Sequence, residues 1–436
     1  TYAYYVDGQN GFGTYPKNAQ KLVEDVCTLA DPDVDFSQYA NDGSNYINAL
    51  FIVHAGPGAE AEADPDLADN EIWSHKWQTV LHPTLDGKIL NVYSMEPEDG
   101  LVGVFAHEFG HVLGLPDLYD YGYDSAGVGD WSLMAGGSWG GGGSLPTHLD
   151  AWCRVQLGWA VPVRPTASQT RVSIPQIEGS PLGSATGIMY KLWCGTPTKE
   201  YWLVENRQQV GFDASIPGSG LLIWHIDENM PDNDTQWYPP TDPILGHYLV
   251  ALEQADGRWD LEHYRNLGDV TDPYYSSTAG FTSTTTPNSY TYSNLDSLIG
   301  VRNISASGTT MTADLDVSDP APGAPRSPMA FDTPNDTGGS ITVTWSKSLD
   351  DGRGYNDVAK YEIWRSTASD GVFEYLDSVP AGTRGYVDYV PANYVDYYYI
   401  IYACDAANKT ASKVTQPAAA RDDIAPDPVT VTAMDT

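Results

Sequence analysis

Basic side chains are scarce in this chain: lysine and arginine number 22 against 58 aspartates and glutamates in 436 residues, a formal net charge of −36. A surface of that sign repels phosphate backbones and anionic lipid, so nucleic acid and membrane surfaces are not expected partners. Cysteine is rare too. Cys27, Cys153, Cys194 and Cys404 show no CxxC spacing, which excludes a zinc knuckle or a CxxC redox pair. They leave room for two disulfides in any of three connectivities, with Cys404 distant enough to stay free. No run of about eighteen apolar residues exists, so no transmembrane helix is expected. No basic-then-apolar leader opens the chain, which begins TYAYYVDGQNG; either the protein is cytosolic or a leader has been removed, and the domain content favours removal.

Aromatic and turn residues, in contrast, are plentiful. Hydrophobic residues make up 41% of the chain, with 13 Trp and 29 Tyr, enough to build buried cores and to argue against disorder. The 42 Gly and 30 Pro fall in short clusters, which suits many short strands joined by tight turns. The length predicts about two to four domains.

Residues 1–160 mix helix and strand signals. Lys17 to Leu29 reads as a helix, with Ala19, Leu22, Val23 and Val26 at helical spacing. A buried strand is expected over Ala49 to His54 and another over Ile89 to Tyr93. A second helix-like run, LVGVFAHEFGHVLGL, follows the turn Glu98-Asp99-Gly100, with Val102, Phe105, Phe109 and Val112 as its apolar stripe. Asp99 is the expected N-cap and Gly114 the left-handed C-terminal stop. Residues 161–318 read as β: RVSIPQI, GIMYKLW, EYWLVENRQ, GLLIWHID, HYLVALEQA and TMTADLDV. A Pro-rich linker at 319–325 precedes a sandwich-like stretch over 326–416, with Trp345 and a Tyr-rich late strand. Residues 417–436 read as a linker or the start of a further module.

The chemistry concentrates in His107-Glu108-Phe-Gly-His111-Val-Leu-Gly114-Leu-Pro-Asp117. Histidines at i and i+4 of a helix project from one face, where both can reach one zinc ion at about 2.0–2.1 Å. Glu108, beside the first ligand, can reach a metal-activated water as general base without binding the metal. Gly114 turns the chain so that Asp117 supplies the third ligand, the HExxHxxGxxH layout with Asp in the last place. Asp120 and Asp124 are alternative third ligands, but the spacing after Gly114 favours Asp117. Met134, in the Gly-flanked run GDWSLMAGG, fits the methionine turn that lies beneath such a metal. Position 136, where some such sites carry a tyrosine, is Gly136, so no tyrosine is assigned to the transition state. The blander reading of each element is an amphipathic helix with solvent-facing histidines and an ordinary buried methionine, but their joint occurrence favours the metal site.

Other polar residues read as structural. His54 and His75 lie at or near strand ends, Glu205 and His225 in the β-rich half, and the Gly run 140–143 lacks the context of a phosphate loop and reads as a flexible rim near the cleft.

These segments resemble the immune inhibitor A family of secreted bacterial metallopeptidases. The likeness is carried by HEFGHVLGLPDLYD, GDWSLMAGGSW, IVHAGPGAE (52–60), IWSHKW (72–77), YWLVENRQ (201–208), PGSGLLIWHID (217–227) and LEQADG (252–257), and spans roughly 1–318. Residues 326 to about 415 are similar to a fibronectin type III module. The resemblance implies a multidomain protein: an α+β metzincin-like zinc peptidase domain over 1–160, a β-rich domain over 161–318 and a fibronectin type III-like β-sandwich over 326–416. It also implies a secreted precursor with a pro-segment and cleavage of extracellular proteins, with His107, His111 and Asp117 on zinc and Glu108 as base. Calcium stays open as a second metal. The loop Ala40 to Asn48 has Ala and Asn where family carboxylates would sit, leaving clusters such as Asp64, Asp66 and Asp69, or Asp227, Glu228, Asp232 and Asp234, each equally a solvated turn. Two other readings stand beside the peptidase. One is a surface or adhesive protein with an inactive peptidase domain, its fibronectin-like module holding a surface or matrix ligand. The other is a metal-dependent hydrolase of non-peptide substrates.

Overall fold

Asn18 opens the first long helix, Ala19–Ala30, by accepting a hydrogen bond from the Lys21 N–H. Its inner face carries Val23 and Cys27 against Tyr93 and Met95 of the strand Val92–Pro97. In this computed structural model all residues are described except 1, 40–42, 48–49, 63, 65–67, 180–184, 194–198, 242–245, 318–320, 353–357, 406–407 and 425–436. The chain divides into two compact units, the first ending at Val317 and the second running from Ser318.

The first unit begins with a three-stranded sheet in the order Leu50–His54, Val92–Pro97, His75–Gln78. The first pair is parallel and the second antiparallel. The expected strand Ile89 to Tyr93 is displaced: a two-residue strand, Lys88–Ile89, is followed by the longer Val92–Pro97. The reason is burial on both faces, which removes the polarity alternation that marks a strand; Ser94 and Glu96 are as fully buried as Tyr93 and Met95. The helix Val102–Val112 lies against the opposite face, where Phe51 meets Phe105 and Phe109 at ring-centroid distances of 6.3 and 5.5 Å.

Beyond the helical part, five strands run in the order Val250–Leu252, Gly220–Asp227, Glu200–Arg207, Ala185–Trp193, Ala160–Val163. A three-stranded sheet, Gly300–Arg302, Thr310–Asp316, Gln169–Pro175, completes the unit. Every residue of Glu200–Arg207 and Gly220–Asp227 is buried. Alternation sends Tyr201, Leu203, Leu222 and Trp224 into a core shared with Leu115, Leu118, Trp131 and Met134. Trp202, Val204, Leu221 and Ile223 enter a second core with Met311 and Leu315. The β-rich segment therefore forms one wall of the motif region.

The second unit is a sandwich of two antiparallel sheets, Arg326–Asp332, Ser340–Ser346, Gly385–Tyr389 and Glu374–Pro380, Lys360–Ser366, Tyr398–Cys404, Lys409–Ala411. Trp345, Tyr361, Ile363, Tyr399 and Ile401 fill its core. Of the stretch 417–436, read as a linker or the start of a further module, Ala418 and Asp422 pair back onto this unit, while 425–436 lie outside the described residues. Two disulfides do not form. Cys27, Cys153 and Cys404 are free buried thiols, and Cys194 lies outside the described residues.

Candidate metal centre

The motif helix does not start as expected from Asp99. Its N-cap is Leu101, with no side-chain cap, because the Gly100 N–H bonds the Pro97 carbonyl in the preceding turn. Its end follows expectation: Gly114 takes φ +100°. The Gly114 N–H bonds the His111 carbonyl and the Leu115 N–H bonds the Gly110 carbonyl, each at 3.0 Å, a Schellman stop. That stop carries the Leu115 carbonyl back to His111 Nδ1 at 2.8 Å. His107 Nδ1 likewise lies 2.8 Å from the Leu133 carbonyl. A carbonyl only accepts, so both Nδ1 atoms carry the proton and both Nε2 atoms present lone pairs.

Those lone pairs converge. His107 Nε2 and His111 Nε2 are 3.1 Å apart, and Asp117 Oδ1 lies 3.0 Å from the first and 3.2 Å from the second. Ligands at about 2.0–2.1 Å around a tetrahedral ion would be separated by about 3.3–3.4 Å, close to this triangle. Three acceptors facing one another with no donor between them is a repulsive arrangement that a shared cation resolves, so the donor set fits a zinc-like metal. Asp117 is mostly buried, a setting that penalises its anionic form unless a cation lies beside it. Asp120 and Asp124 are not part of this triangle. Asp120 turns away, accepting from Gly122 N, Ser125 N and Ser125 Oγ. Glu108 is also buried; its side chain makes no hydrogen bond to a carbonyl or carboxylate among the described residues, and burial lifts its carboxyl above the usual range.

Met134 is fully buried beneath the helix, so close to Gly110 that a β-carbon there would come 2.5 Å from its sulfur. Its turn serves both flanks of the triangle: Leu133 holds His107, and the Met134 carbonyl accepts the N–H of Leu118, next to Asp117, at 2.8 Å. Ser132 Oγ anchors the turn by donating to Asp150 at 2.6 Å. The glycine run 140–143 packs on the start of the motif helix, where a β-carbon on Gly103 would collide with the Ser138 carbonyl.

Sequence reasoning missed the support from the β-rich half. Arg207 donates to the Trp131 carbonyl and to Asp213, and Asp213 in turn accepts the His148 N–H. Asn233 and Asp234 hold the loop after Asp117. The acidic group flagged for calcium is spent otherwise: Asp227 on His247 and Asn229, Glu228 on Tyr201, Asp234 on Tyr121. A different trio, Asp256, Asp269 and Asp272, brings carboxylate oxygens within 4.8 Å of one another, with Thr271 Oγ donating to two of them. Asp66, Ala40, Asn41, Asp42 and Asn48 lie outside the described residues. His75 is structural, its Nδ1 2.7 Å from the Trp73 carbonyl and its Nε2 3.1 Å from Tyr93 Oη, and burial lowers its pKa to about 4. His54 bonds the Ala55 carbonyl. A cavity of about 480 Å³ in the β-rich half, with Trp237, Trp259, Tyr290 and Tyr292 in its lining, borders none of the motif residues.

Residues 25–160 match the family model of the immune inhibitor A peptidase M6 catalytic domain. This segment is thus similar to the immune inhibitor A peptidases. Immune inhibitor A of Bacillus thuringiensis subsp. alesti is 39% identical over 164 residues, 31% of this chain and 24% of that protein. The pre-pro-metalloprotease PrtV of Vibrio cholerae serotype O1 (strain M66-2) is 34% identical over 211 residues, 41% of this chain and 22% of that protein. The matches thus span about a quarter of these relatives. Among solved structures, an Fn3-like protein from Clostridium thermocellum covers 22% of this chain and 90% of its own, at 21% identity and a TM-score of 0.18. No helix of the described residues is long and apolar enough to cross a membrane.

Proposed function

We propose that this chain is a secreted zinc metalloendopeptidase with a metzincin-like catalytic segment, His107, His111 and Asp117 as metal ligands and Glu108 as general base. The observation that carries it is the triangle of two imidazole lone pairs and one carboxylate oxygen within 3.0–3.2 Å, with each Nδ1 tied to a backbone carbonyl. The peptidase family match and the metalloprotease relatives support the reaction class. Zinc held there would supply a Lewis acid that acidifies water to a pKa near about 7 and polarises a carbonyl.

The protein's own residues do the rest. Leu133 and Leu115 keep both rings in the tautomer that offers Nε2. Glu108, one residue from His107 and held in a buried setting, takes the proton from the attacking water and returns it to the leaving amine. Met134 floors the site without offering a polar atom in competition. The reading extends to location: an Arthroderma benhamiae protein 26% identical over 185 residues carries the name putative secreted metallopeptidase, which supports an extracellular setting. The sandwich from residue 326 is read as a fibronectin type III-like module, and the substrates as proteins or peptides.

Glu108→Gln separates the roles. The variant should keep one equivalent of zinc and lose at least about 10²-fold in casein hydrolysis, since the base goes and the ligands stay. Casein cleavage at the wild-type rate by that variant would remove Glu108 from the mechanism.

A further inference from the structure

The triangle leaves one carboxylate oxygen unaccounted for, and Tyr121 takes it. The Tyr121 hydroxyl donates to Asp117 Oδ2, the oxygen turned away from the imidazoles. Tyr121 as a residue is exposed at 56%, so core packing does not explain its place. Its backbone is fixed from outside the helical part: the Tyr121 N–H donates to Asp234 Oδ1 at 3.1 Å. The neighbouring Asn233, fully buried, donates from Nδ2 to the Leu118 carbonyl at 3.1 Å and to the Val250 carbonyl at 2.8 Å. Its Oδ1 accepts the Val250 N–H at 3.0 Å. Asn233 thus rivets the loop that follows Asp117 to the strand Val250–Leu252, and Asp234 rivets the residue that reaches back to Asp117.

A carboxylate can present one oxygen to a metal or both, and it rotates freely unless something holds the second oxygen. We propose that Tyr121 is a positioning residue that keeps Asp117 a one-oxygen ligand, and that the Asn233–Asp234 segment of the β-rich half sets Tyr121 for this task. The role rests on the reading of His107, His111 and Asp117 as a metal site. Tyr121 touches the ligand and not the reacting atoms. The β-rich half then does more than wall the core: its loop decides how tightly the metal is held.

Tyr121→Phe keeps the ring, and with it the edge contact to Tyr119 at 5.3 Å, and removes only the hydroxyl. Zinc affinity, measured by competition with a chromophoric chelator, should weaken by about 10- to 100-fold, the usual effect of losing a ligand's outer hydrogen bond. The cobalt-substituted protein should show a shifted visible spectrum, because the carboxylate's denticity changes. With saturating zinc, kcat should fall while KM stays within about twofold. Asp234→Ala should cost about fivefold in zinc affinity, one ordinary hydrogen bond, and Asp234→Asn, which keeps an acceptor oxygen, should restore it. Wild-type zinc affinity and an unchanged cobalt spectrum in Tyr121→Phe would overturn the proposal. Failure of the underlying site would look different: His107→Ala would then bind a full equivalent of zinc, whatever Tyr121 does.

Discussion

Two histidine centres in the first unit use the same side chains to opposite ends. At His107 and His111 each Nδ1 donates to a backbone carbonyl, so each Nε2 is left as a lone pair aimed at Asp117 Oδ1. At His225 both nitrogens meet carboxylates: Nε2 lies 2.9 Å from Glu200 and Nδ1 3.0 Å from Glu253. Burial would lower the His225 pKa, but the two carboxylates outweigh it and lift it to about 9. Its ring is stacked between Trp202 and Tyr292, at 4.3 and 4.1 Å. His225 brings its own positive charge to its carboxylates, whereas the motif histidines await one from outside. What the far nitrogen touches decides which a buried imidazole becomes.

The largest break in that comparison is His111→Ala. Two of the three ligands remain, and the expected result is loss of bound zinc by metal analysis and a fall of at least about 10³-fold in proteolysis, with the fold retained. A full equivalent of zinc in the purified variant would show that the triangle is not the metal site. His225→Gln breaks the other side. It strips the cation from a buried carboxylate, Glu200, and a half-buried one, Glu253, which costs about 3 kcal/mol, and should leave zinc content unchanged. The pH dependence follows from the sign. A histidine raised from its ordinary 6.5 to about 9 adds stability that is full below pH 6.5 and is lost as pH climbs through 9. Wild type should therefore lose about 3 kcal/mol between pH 6 and 10 from this residue, and the variant should show a flatter curve over that range. Parallel denaturation curves for both proteins would rule out a charged His225.

Much of the site is local in sequence and was legible there. The i, i+4 histidines, the glycine stop and the carboxylate past it all lie within eleven residues, where helical periodicity and turn chemistry fix geometry. The fold was legible where strands alternate or stand as apolar runs, as in Glu200–Arg207 and Ser340–Ser346. It was illegible where context overrides pattern. Arg326–Asp332 and Glu374–Pro380 carry mostly exposed or half-buried residues of mixed polarity, and nothing local marks them as strands. The grip of Asn233 and Asp234 on the loop after Asp117 joins residues 115 and 113 positions apart, a relation no spacing rule contains. Asp227, Glu228, Asp232 and Asp234 read as one acidic cluster in sequence, but the backbone sends Asp227, Glu228 and Asp234 to separate partners.

The smallest effects test the frame that holds the motif helix in place. Gly103 and Gly110 both face the methionine turn side of the helix, but their neighbours differ in kind. A β-carbon on Gly103 would run into the Ser138 carbonyl, which is backbone and anchored in the turns that follow Met134. On Gly110 it would meet the Met134 sulfur at 2.5 Å and its methyl at 3.1 Å, the flexible end of a side chain. Alanine gains up to about 1 kcal/mol over glycine in a helix interior, while overpacking costs about 1–3 kcal/mol. At Gly103 the backbone cannot yield, so Gly103→Ala should lose about 2–3 kcal/mol. At Gly110 methionine can swing, so Gly110→Ala should lose about 1 kcal/mol or less and weaken zinc binding only slightly. Thermal midpoints of the two variants, recorded with and without zinc, give the order; a more stable Gly103→Ala than Gly110→Ala would mean that the turn beneath the helix is softer than its carbonyl contacts with His107 and Leu118 imply.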